Sequence, residues 1–80
     1  MKAKIHITLK NGVLDPQGRA IAGALGTMGF SEVADARQGK YIELELKEKD
    51  KSKAQAAVEK MCSGLLANTV IENYSYELSD

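Results

Sequence analysis

Apolar and polar side chains alternate along the first ten residues of the chain. The apolar positions are Ala3, Ile5, Ile7 and Leu9. A period of two is typical of a strand that buries one face, so the sequence predicts a β-strand over residues 2–10. Asn11-Gly12 then has the composition of a turn.

The change to helical spacing comes at Asp15-Pro16. Proline fits the first helical position because its missing N–H has no helical partner there, and Asp15 can accept hydrogen bonds from the free amides of the first turn. Gly29 is placed to end this helix. The predicted apolar face contains Ala20, Ile21, Ala24, Leu25 and Met28.

Two strands are predicted after this helix, the first over residues 32–37. Gln38-Gly39 has the form of a two-residue hairpin loop in which Gly39 takes a positive φ. In the third strand, apolar and polar residues alternate again. The inward set is Ile42, Leu44 and Leu46, and the outward set is Tyr41, Glu43, Glu45 and Lys47.

The last third of the chain predicts a second helix and a fourth strand. Asp50 or Ser52 could cap the helix, and residues 66–69 close it, since Asn68 tolerates the left-handed conformation at a helix end. Between them, apolar residues recur at helical spacing: Ala54, Ala57, Val58, Met61, Cys62 and Leu65. The final strand places on one side Val70, Tyr74, Tyr76 and Leu78.

The predicted order is therefore β-α-β-β-α-β, an α+β fold of one domain over residues 1–80. Right-handed crossovers put both helices on one face of a four-stranded antiparallel sheet, as in a ferredoxin-like plait. The first and third strands are then neighbours, which brings outward charges together: Lys2, Lys4 and Lys10 beside Glu43 and Glu45. A second copy could cover the bare sheet face, which presents His6, Thr8 and Tyr41.

Charge and cysteine content narrow the possible binding partners and the cellular compartment of the protein. The 80 residues include 11 basic and 11 acidic side chains, so the net charge is zero and nothing favours nucleic acid or an anionic membrane. A charge near zero suits a subunit that associates with copies of itself. One cysteine excludes an internal disulfide, and no signal-like or membrane-spanning apolar run occurs, which together predict a cytoplasmic setting.

The residue types that carry chemistry are sparse. His6 is the only histidine, so one chain cannot build a His-based triad or a His-rich metal site. Cys62 lies on the apolar helix face and is interpreted as a buried structural thiol. Glu43 and Glu45 belong to a solvated charge ladder, and no phosphate-binding glycine pattern is present. We therefore predict no catalytic residue, no metal and no bound cofactor.

Three binding roles stay open on the pattern alone. Arg37 and Lys40 flank the Gln38-Gly39 loop and could hold an anion. An RNA-binding plait would stack bases on its central strands, but the glutamates there repel phosphate and only 5% of residues are aromatic. A free-standing regulatory plait that binds a small ligand at a dimer interface is compatible with the glycine-containing loop after the first strand.

Three segments in order carry a resemblance to a known family. They are Leu9-Lys10 with residues 13–18, then residues 37–40, then Met61-Cys62 with residues 65–72. In this order they resemble the small S subunits (PurS) of phosphoribosylformylglycinamidine (FGAM) synthase over nearly the whole chain. One departure is Thr69, where the family usually has proline. Threonine is β-branched and can keep the chain extended, so the departure concerns local rigidity.

The resemblance implies a role in a larger ligase. PurS proteins form dimers or dimers of dimers and assemble with a large synthetase subunit (PurL) and a glutaminase subunit (PurQ). The complex uses glutamine, ATP and magnesium in de novo purine synthesis, while the non-catalytic small subunit bridges the other two and aids ammonia transfer. Candidate contact or assembly residues are Leu14, Asp15, Gln17, Arg37, Lys40, Asn68 and Glu72. An equally good interpretation is that some residues only fix turns: Asp15, Pro16, Gly39 and Asn68.

Overall fold

The computed structural model describes residues 1–80, which form three strands, two α-helices and one π-helical turn. In chain order these are β1 (Lys2–Leu9), α1 (Pro16–Thr27), β2 (Gly39–Glu45), α2 (Lys51–Met61), the π-helical turn (Cys62–Leu66) and β3 (Glu72–Ser79). The sheet has the order β2-β1-β3, and both pairs are antiparallel. The predicted α+β class is confirmed, and so is the pairing of the first strand with the strand that follows Gln38.

The core lies between β1 and α2. Alternation places every second residue of the three strands on one face of the sheet, and α2 covers that face. The fully buried side chains of this contact are Ala3, Ile5, Ile7, Ala54, Val58 and Cys62. Cys62 is therefore a packing residue, as its position on the apolar helix face predicted.

The opposite face of the sheet is polar and uncovered. Lys2 lies directly opposite Glu45, and Lys4 directly opposite Glu43, as predicted. The Lys2 ammonium lies 3.6 Å from a carboxylate oxygen of Glu43 and 3.7 Å from one of Glu45. Lys10 lies beyond the end of β1 and outside this ladder. Exposed ion pairs of this kind add little to stability, so the ladder sets register rather than holding the fold together.

The predicted strand over residues 32–37 is wrong. These residues form a turn and an unpaired connection, so the sheet has three strands rather than four. Gln38-Gly39 is not a hairpin loop either, because Gly39 has no positive φ and begins β2 opposite Thr8. Glycine is required there for a different reason. A Cβ at this position would lie 2.3 Å from the carbonyl oxygen of Ile7.

The end of the second helix also differs from the prediction. Asp50 caps α2 as expected, with its carboxylate accepting from the backbone N–H of Ser52 at 2.9 Å. The turn after α2 is π-helical and is closed by a hydrogen bond from the N–H of Ala67 to the carbonyl of Cys62. Each residue advances less around the axis of this wider turn. Leu65 consequently faces outward and is 84% exposed, not buried as predicted.

Asn68 does not take the predicted left-handed conformation, since only glycines have a positive φ. Its side-chain oxygen instead accepts from the N–H of Val70 at 3.2 Å, and its carbonyl accepts from Ile71 and Glu72. Short polar side chains commonly stabilise turns in this way. The tight loop leaves Val70 exposed rather than inward on the last strand, which begins at Glu72.

Helix α1 does not pack on the sheet of its own chain. Gly18 is its only buried residue, so the apolar face expected to lie beside α2 is largely uncovered. The chain is elongated, with extents of 49 × 26 × 14 Å and a radius of gyration of 16.0 Å. A compact chain of this length has a radius of about 12 Å. The prediction of two helices on one sheet face is therefore wrong for α1 within a single chain.

Gly29 ends α1 as predicted, with a φ of +97°. The N–H of Phe30 donates to the carbonyl of Leu25 at 3.0 Å, and that of Gly29 to Gly26 at 3.1 Å. This pattern satisfies the last free carbonyls and reverses the chain direction. Residues 28–38, which we call the return segment, then lead back to β2, and residues 10–38 together are called the α1 arm.

Replacing Ile5 by valine tests the core. We expect Ile5→Val to lower the free energy of unfolding by about 1 kcal/mol, because one buried methylene is lost. Ile71→Val makes the same change at an exposed position and should alter that free energy by less than about 0.5 kcal/mol. Urea unfolding followed by circular dichroism measures both variants. Equal losses would contradict the placement of the core on β1.

Candidate functional site

The connection between β1 and α1 is built around the carboxylate of Asp15. Its Oδ1 accepts from the backbone N–H of Gly18 at 2.9 Å, which caps the helix that Pro16 begins. Its Oδ2 accepts from the backbone N–H of Gln38, also at 2.9 Å. One side chain therefore caps α1 and ties it to the return segment.

These two hydrogen bonds lower the pKa of Asp15 below its usual value. The N–H of Gln38 is the largest cause, the N–H of Gly18 is the second, and the positive charge of Arg37 acts in the same direction. Donors of this kind stabilise the ionised carboxylate relative to the acid. Asp15 is thereby held in its charged form, which accepts at both oxygens.

Gly18 allows the return segment to approach α1 closely. A Cβ at this position would lie 2.4 Å from the carbonyl oxygen of Ala36 and 2.7 Å from a carboxylate oxygen of Asp15. No side chain fits in that space, so packing rather than φ requires glycine here. Sequence reasoning missed this residue, although a glycine inside a helix costs about 1 kcal/mol and calls for an explanation.

Arg37 binds the end of β1. Its Nη2 donates to the carbonyl oxygen of Leu9 and, at 3.3 Å, to that of Lys10. A guanidinium carries several donors in a fixed plane and can therefore serve neighbouring acceptors. The return segment is thus attached to β1 by Arg37 and to α1 by Asp15.

A second set of contacts lies on the inward face at the same end of the sheet. Lys40 pairs with Ile7, and Glu72 pairs with Leu9, so both side chains project from this face on either side of β1. Nζ of Lys40 lies 3.5 Å from Oε2 of Glu72. Oε1 of Glu72 accepts from the N–H of Asn68 at 2.7 Å, so the ion pair also holds the loop before β3.

The structure brings the seven predicted site residues together at one end of the sheet, where the α1 arm begins and ends. A cleft of about 450 Å³ is lined by four of them: Asp15, Gln17, Lys40 and Glu72. Leu14 and Arg37 line a neighbouring depression that shares Asp15. Asn68 joins the group through its hydrogen bond with Glu72.

The basic candidate residues at this end of the sheet are already paired within the chain. Arg37 and Lys40 already have acceptors within the chain, which disfavours the anion site suggested by their spacing. No group of three or more histidine, cysteine, aspartate or glutamate side chains is arranged to hold a metal ion. The helices are too short or too polar to cross a membrane. Leu14, by contrast, is 64% exposed beside groups that are fixed by hydrogen bonds.

Comparison with known proteins gives the family. The chain matches the family PurS: phosphoribosylformylglycinamidine (FGAM) synthase over residues 2–80. The FGAM synthase subunit PurS of Bacillus subtilis is 48% identical over 79 residues, which are 99% of this chain and 93% of that protein. PurS of Methanocaldococcus jannaschii is 40% identical over 77 residues, 96% of this chain and 93% of that protein. The chain belongs to the PurS family.

Solved PurS structures have the same shape. The C2 crystal form of Bacillus subtilis PurS matches with a TM-score of 0.87 and 49% identity, and covers 99% of this chain and 98% of that one. A chain in the structure of PurLQS from Thermotoga maritima matches with a TM-score of 0.87 and 36% identity, over 95% and 93%. Such scores over nearly whole chains require a similar placement of α1 relative to the sheet.

Sequence reasoning missed one polar cluster of this PurS-family chain. Glu59 on α2 accepts from the hydroxyls of Tyr74 and Tyr76, both at 2.8 Å. The hydrogen bonds lower the pKa of Glu59 and raise the pKa of both tyrosines. The available signal was the spacing of the tyrosines, because residues two apart on a strand share one face.

The neighbouring thiol is inert. Burial raises the pKa of Cys62, and the negative charge of Glu59 raises it further. Because the thiolate is the reactive form, this cysteine stays protonated and unreactive near neutral pH. The cluster therefore fastens β3 to α2 and supplies no nucleophile.

Asp15→Asn tests the double acceptor. The amide has one acceptor oxygen where the carboxylate has two, so it cannot serve both Gly18 and Gln38. Because the pKa of folded Asp15 lies below the ordinary value of 3.8, its stabilisation is present above that pH and is lost as the pH falls through the folded pKa. We expect wild type to be more stable than Asp15→Asn at pH 7 and the difference to shrink below about pH 4.

Urea unfolding of both proteins along a pH series from neutral to acid measures this difference. Asp50→Asn is the matched control, because Asp50 caps α2 without tying it to a distant segment. A difference for Asp15→Asn that stays constant over the whole series would contradict the role given to the ionised carboxylate.

Proposed function

We propose that this chain is the small, non-catalytic subunit of FGAM synthase in purine biosynthesis. The observation that carries the proposal is its 48% identity, over nearly the full length, to the Bacillus subtilis PurS subunit. The Methanocaldococcus jannaschii relative is one of the subunits of formylglycinamide ribonucleotide amidotransferase in the purine biosynthetic pathway. A role in assembly agrees with a site made of internal hydrogen bonds and an exposed leucine.

The partners that we infer are the synthetase subunit PurL and the glutaminase subunit PurQ. The similar chain from Thermotoga maritima is part of PurLQS. In such a complex, glutamine hydrolysis and the ATP- and magnesium-dependent amidation belong to the larger subunits, and this chain binds no cofactor. Its task is to bridge the two and to help ammonia pass between them. The cytoplasm is the compartment that fits a chain whose one cysteine is free and buried.

We assign contact with the larger subunits to the end of the sheet that carries the seven candidate residues. Hydrogen bonds already fix its polar groups, so little conformational freedom is lost when a partner binds. Leu14 is an exposed apolar anchor at this end, and Val70 in the Asn68 loop is another, with 80% of its surface exposed. An apolar anchor among ordered polar groups is the usual composition of a protein contact.

Copies of this chain, we infer, associate through α1. A helix of 12 residues is only marginally stable alone and depends on packing of its apolar face. Here Ile21 is 41% and Met28 70% exposed, and no strand of the same chain covers them. A second copy that covers this face gives the dimer or larger assembly expected of a PurS protein. The polar sheet face, where the tilted rings of His6 and Tyr41 have their centroids 4.9 Å apart, stays a further candidate contact between copies.

The function is tested with the two larger subunits and this chain. We expect glutamine-dependent amidine formation to need the 80-residue chain, because the chain brings the glutaminase and the synthetase together. The same reaction with free ammonia should depend on the chain much less. Rates with and without the chain, measured with each nitrogen source, give the comparison.

Two results would contradict this function. In the first, addition of the chain changes neither rate. In the second, the chain does not elute with the larger subunits in size-exclusion chromatography. A free-standing plait that binds a small regulatory ligand would then be the alternative, and a calorimetric screen of amino acids against the chain would test it.

Met28→Glu tests the association through α1. A buried, unpaired carboxylate costs well above about 1.4 kcal/mol. We therefore expect the concentration for half-association to rise at least about tenfold. Val70→Glu makes a similar change at the other exposed surface and should leave association of the isolated chain unchanged. Analytical ultracentrifugation measures both. Unaltered association of Met28→Glu would exclude α1 from the contact.

A further inference from the structure

The two ends of the α1 arm leave the sheet side by side. Leu9 is the last residue of β1, Gly39 is the first residue of β2, and Gly39 pairs with Thr8. The arm between them contains 12 helical residues and the return segment. Because the arm does not pack on the sheet, contacts at its base must set the direction in which it projects.

Three contacts join the outgoing and returning parts of the arm at this base. The carboxylate of Asp15 accepts from the N–H of Gln38 at 2.9 Å. The guanidinium of Arg37 donates to the last carbonyl of β1, that of Leu9, and to the carbonyl of Lys10. Gly18 lets the carbonyl of Ala36 lie against the first turn of α1. None of these contacts uses the apolar face of α1, so that face stays available.

The sheet leaves room for an alternative position of the arm. Residues 32–37 lie where a β-α-β-β-α-β plait has its edge strand, and the outer edge of β2 has no neighbour in the sheet. Ile42 and Leu44 on β2 are only half-buried on the inward face. An arm folded back on its own sheet would place α1 over these residues and pair the return segment with β2, which gives a four-stranded plait.

The base contacts oppose that closure. Pairing of the return segment with β2 requires the chain to reverse at Gln38-Gly39. The N–H of Gln38 is already bound to Asp15, and Gly39 is already paired in β2. Arg37 is bound to the end of β1, on the opposite side of β2 from the free edge. Closure therefore requires both side-chain contacts to break.

We propose that Asp15 and Arg37 form a lock that holds the α1 arm away from its own sheet and offers its apolar face to a second copy. Both are positioning residues, which act through the backbone of the arm. Exchange of an element between identical chains is commonly decided at such a hinge. The proposal rests on the self-association inferred above, and the experiment below separates the two.

The test compares two double variants of the isolated chain. Asp15→Ala with Arg37→Ala removes both side chains of the lock. The control is Asp50→Ala with Lys60→Ala, which removes the helix cap and a basic side chain of α2 and leaves the α1 arm unchanged. Light scattering after size-exclusion chromatography gives the mass at each concentration. X-ray scattering, measured where the mass equals one chain, gives the radius of gyration.

We expect the lock variant to need at least tenfold higher concentration for half-association than wild type or the control. Its single chains should have a radius near that of a compact protein, about 12 Å, instead of the 16.0 Å of the extended chain. Compaction is the decisive readout, because loss of a direct contact between copies would weaken association and leave the arm extended.

Two outcomes overturn the lock. One is a lock variant that associates like wild type, and the other is a variant whose single chains keep the extended radius. Arg37→Lys is a milder second variant that keeps the charge but not the planar fork, in case the double variant loses its circular dichroism signal. It should shift association in the same direction, and wild-type behaviour of this folded variant contradicts the proposal.

The readouts also separate the lock from the proposed function. If the wild-type chain stays a monomer at all concentrations but has the extended radius, the inferred self-association is wrong. Compaction of the lock variant then decides the proposal by itself. If the lock proposal fails, glutamine-dependent turnover by the complete complex still tests the FGAM synthase role independently.

Discussion

The packing of β1 against α2 is the contact on which the rest of the structure depends. Both other strands pair with β1, and three of its four inward side chains are fully buried under Val58 and Cys62. Only 8 of the 80 residues are buried, however, so the chain removes little apolar surface from water by itself. The energetics of such a chain favour a partner, and α1 is the element that has no partner within the chain.

A few side chains bind backbone groups at the end of the sheet that carries the candidate site. Asp15 and Arg37 bind the two sides of the arm, and Glu72 holds the loop before β3. Backbone N–H and C=O groups need hydrogen-bond partners, and these side chains supply them where the sheet ends. The surface that a partner meets is consequently ordered before binding. The side chains that order this surface are charged residues of the types found in catalytic sites, but here they bind backbone groups.

Most predictions that succeeded depend on neighbouring residues alone, and the pairing of β1 with β2 is the exception. The alternation in β1, the caps at Asp15 and Asp50, and the stop at Gly29 each follow from the local backbone and its nearest side chains. The strand predicted over residues 32–37 does not form, because the residues of a segment can show at most that it is able to form a strand and not that a neighbouring strand is within reach. Contacts 23 and 28 residues apart in sequence decide their position instead.

The site shows the same division. Resemblance to a family named seven residues, and the structure places them at one end of the sheet, but their acceptors and donors are mostly backbone groups. A pattern of side chains cannot show which carbonyl or amide a side chain will bind. The need for glycine at position 18 and the tyrosine pair on Glu59 were missed for a related reason, since both depend on elements that meet only in the folded chain.

The most direct test of the central claim, that α1 lacks a partner within its own chain, is amide hydrogen exchange at a series of dilutions. Protection of the α1 amides should be high in concentrated solution and fall at least tenfold on dilution, while the β1 amides keep their protection. Protection of α1 that does not change with dilution would contradict the claim, because it would show that the helix packs on the sheet of the same chain.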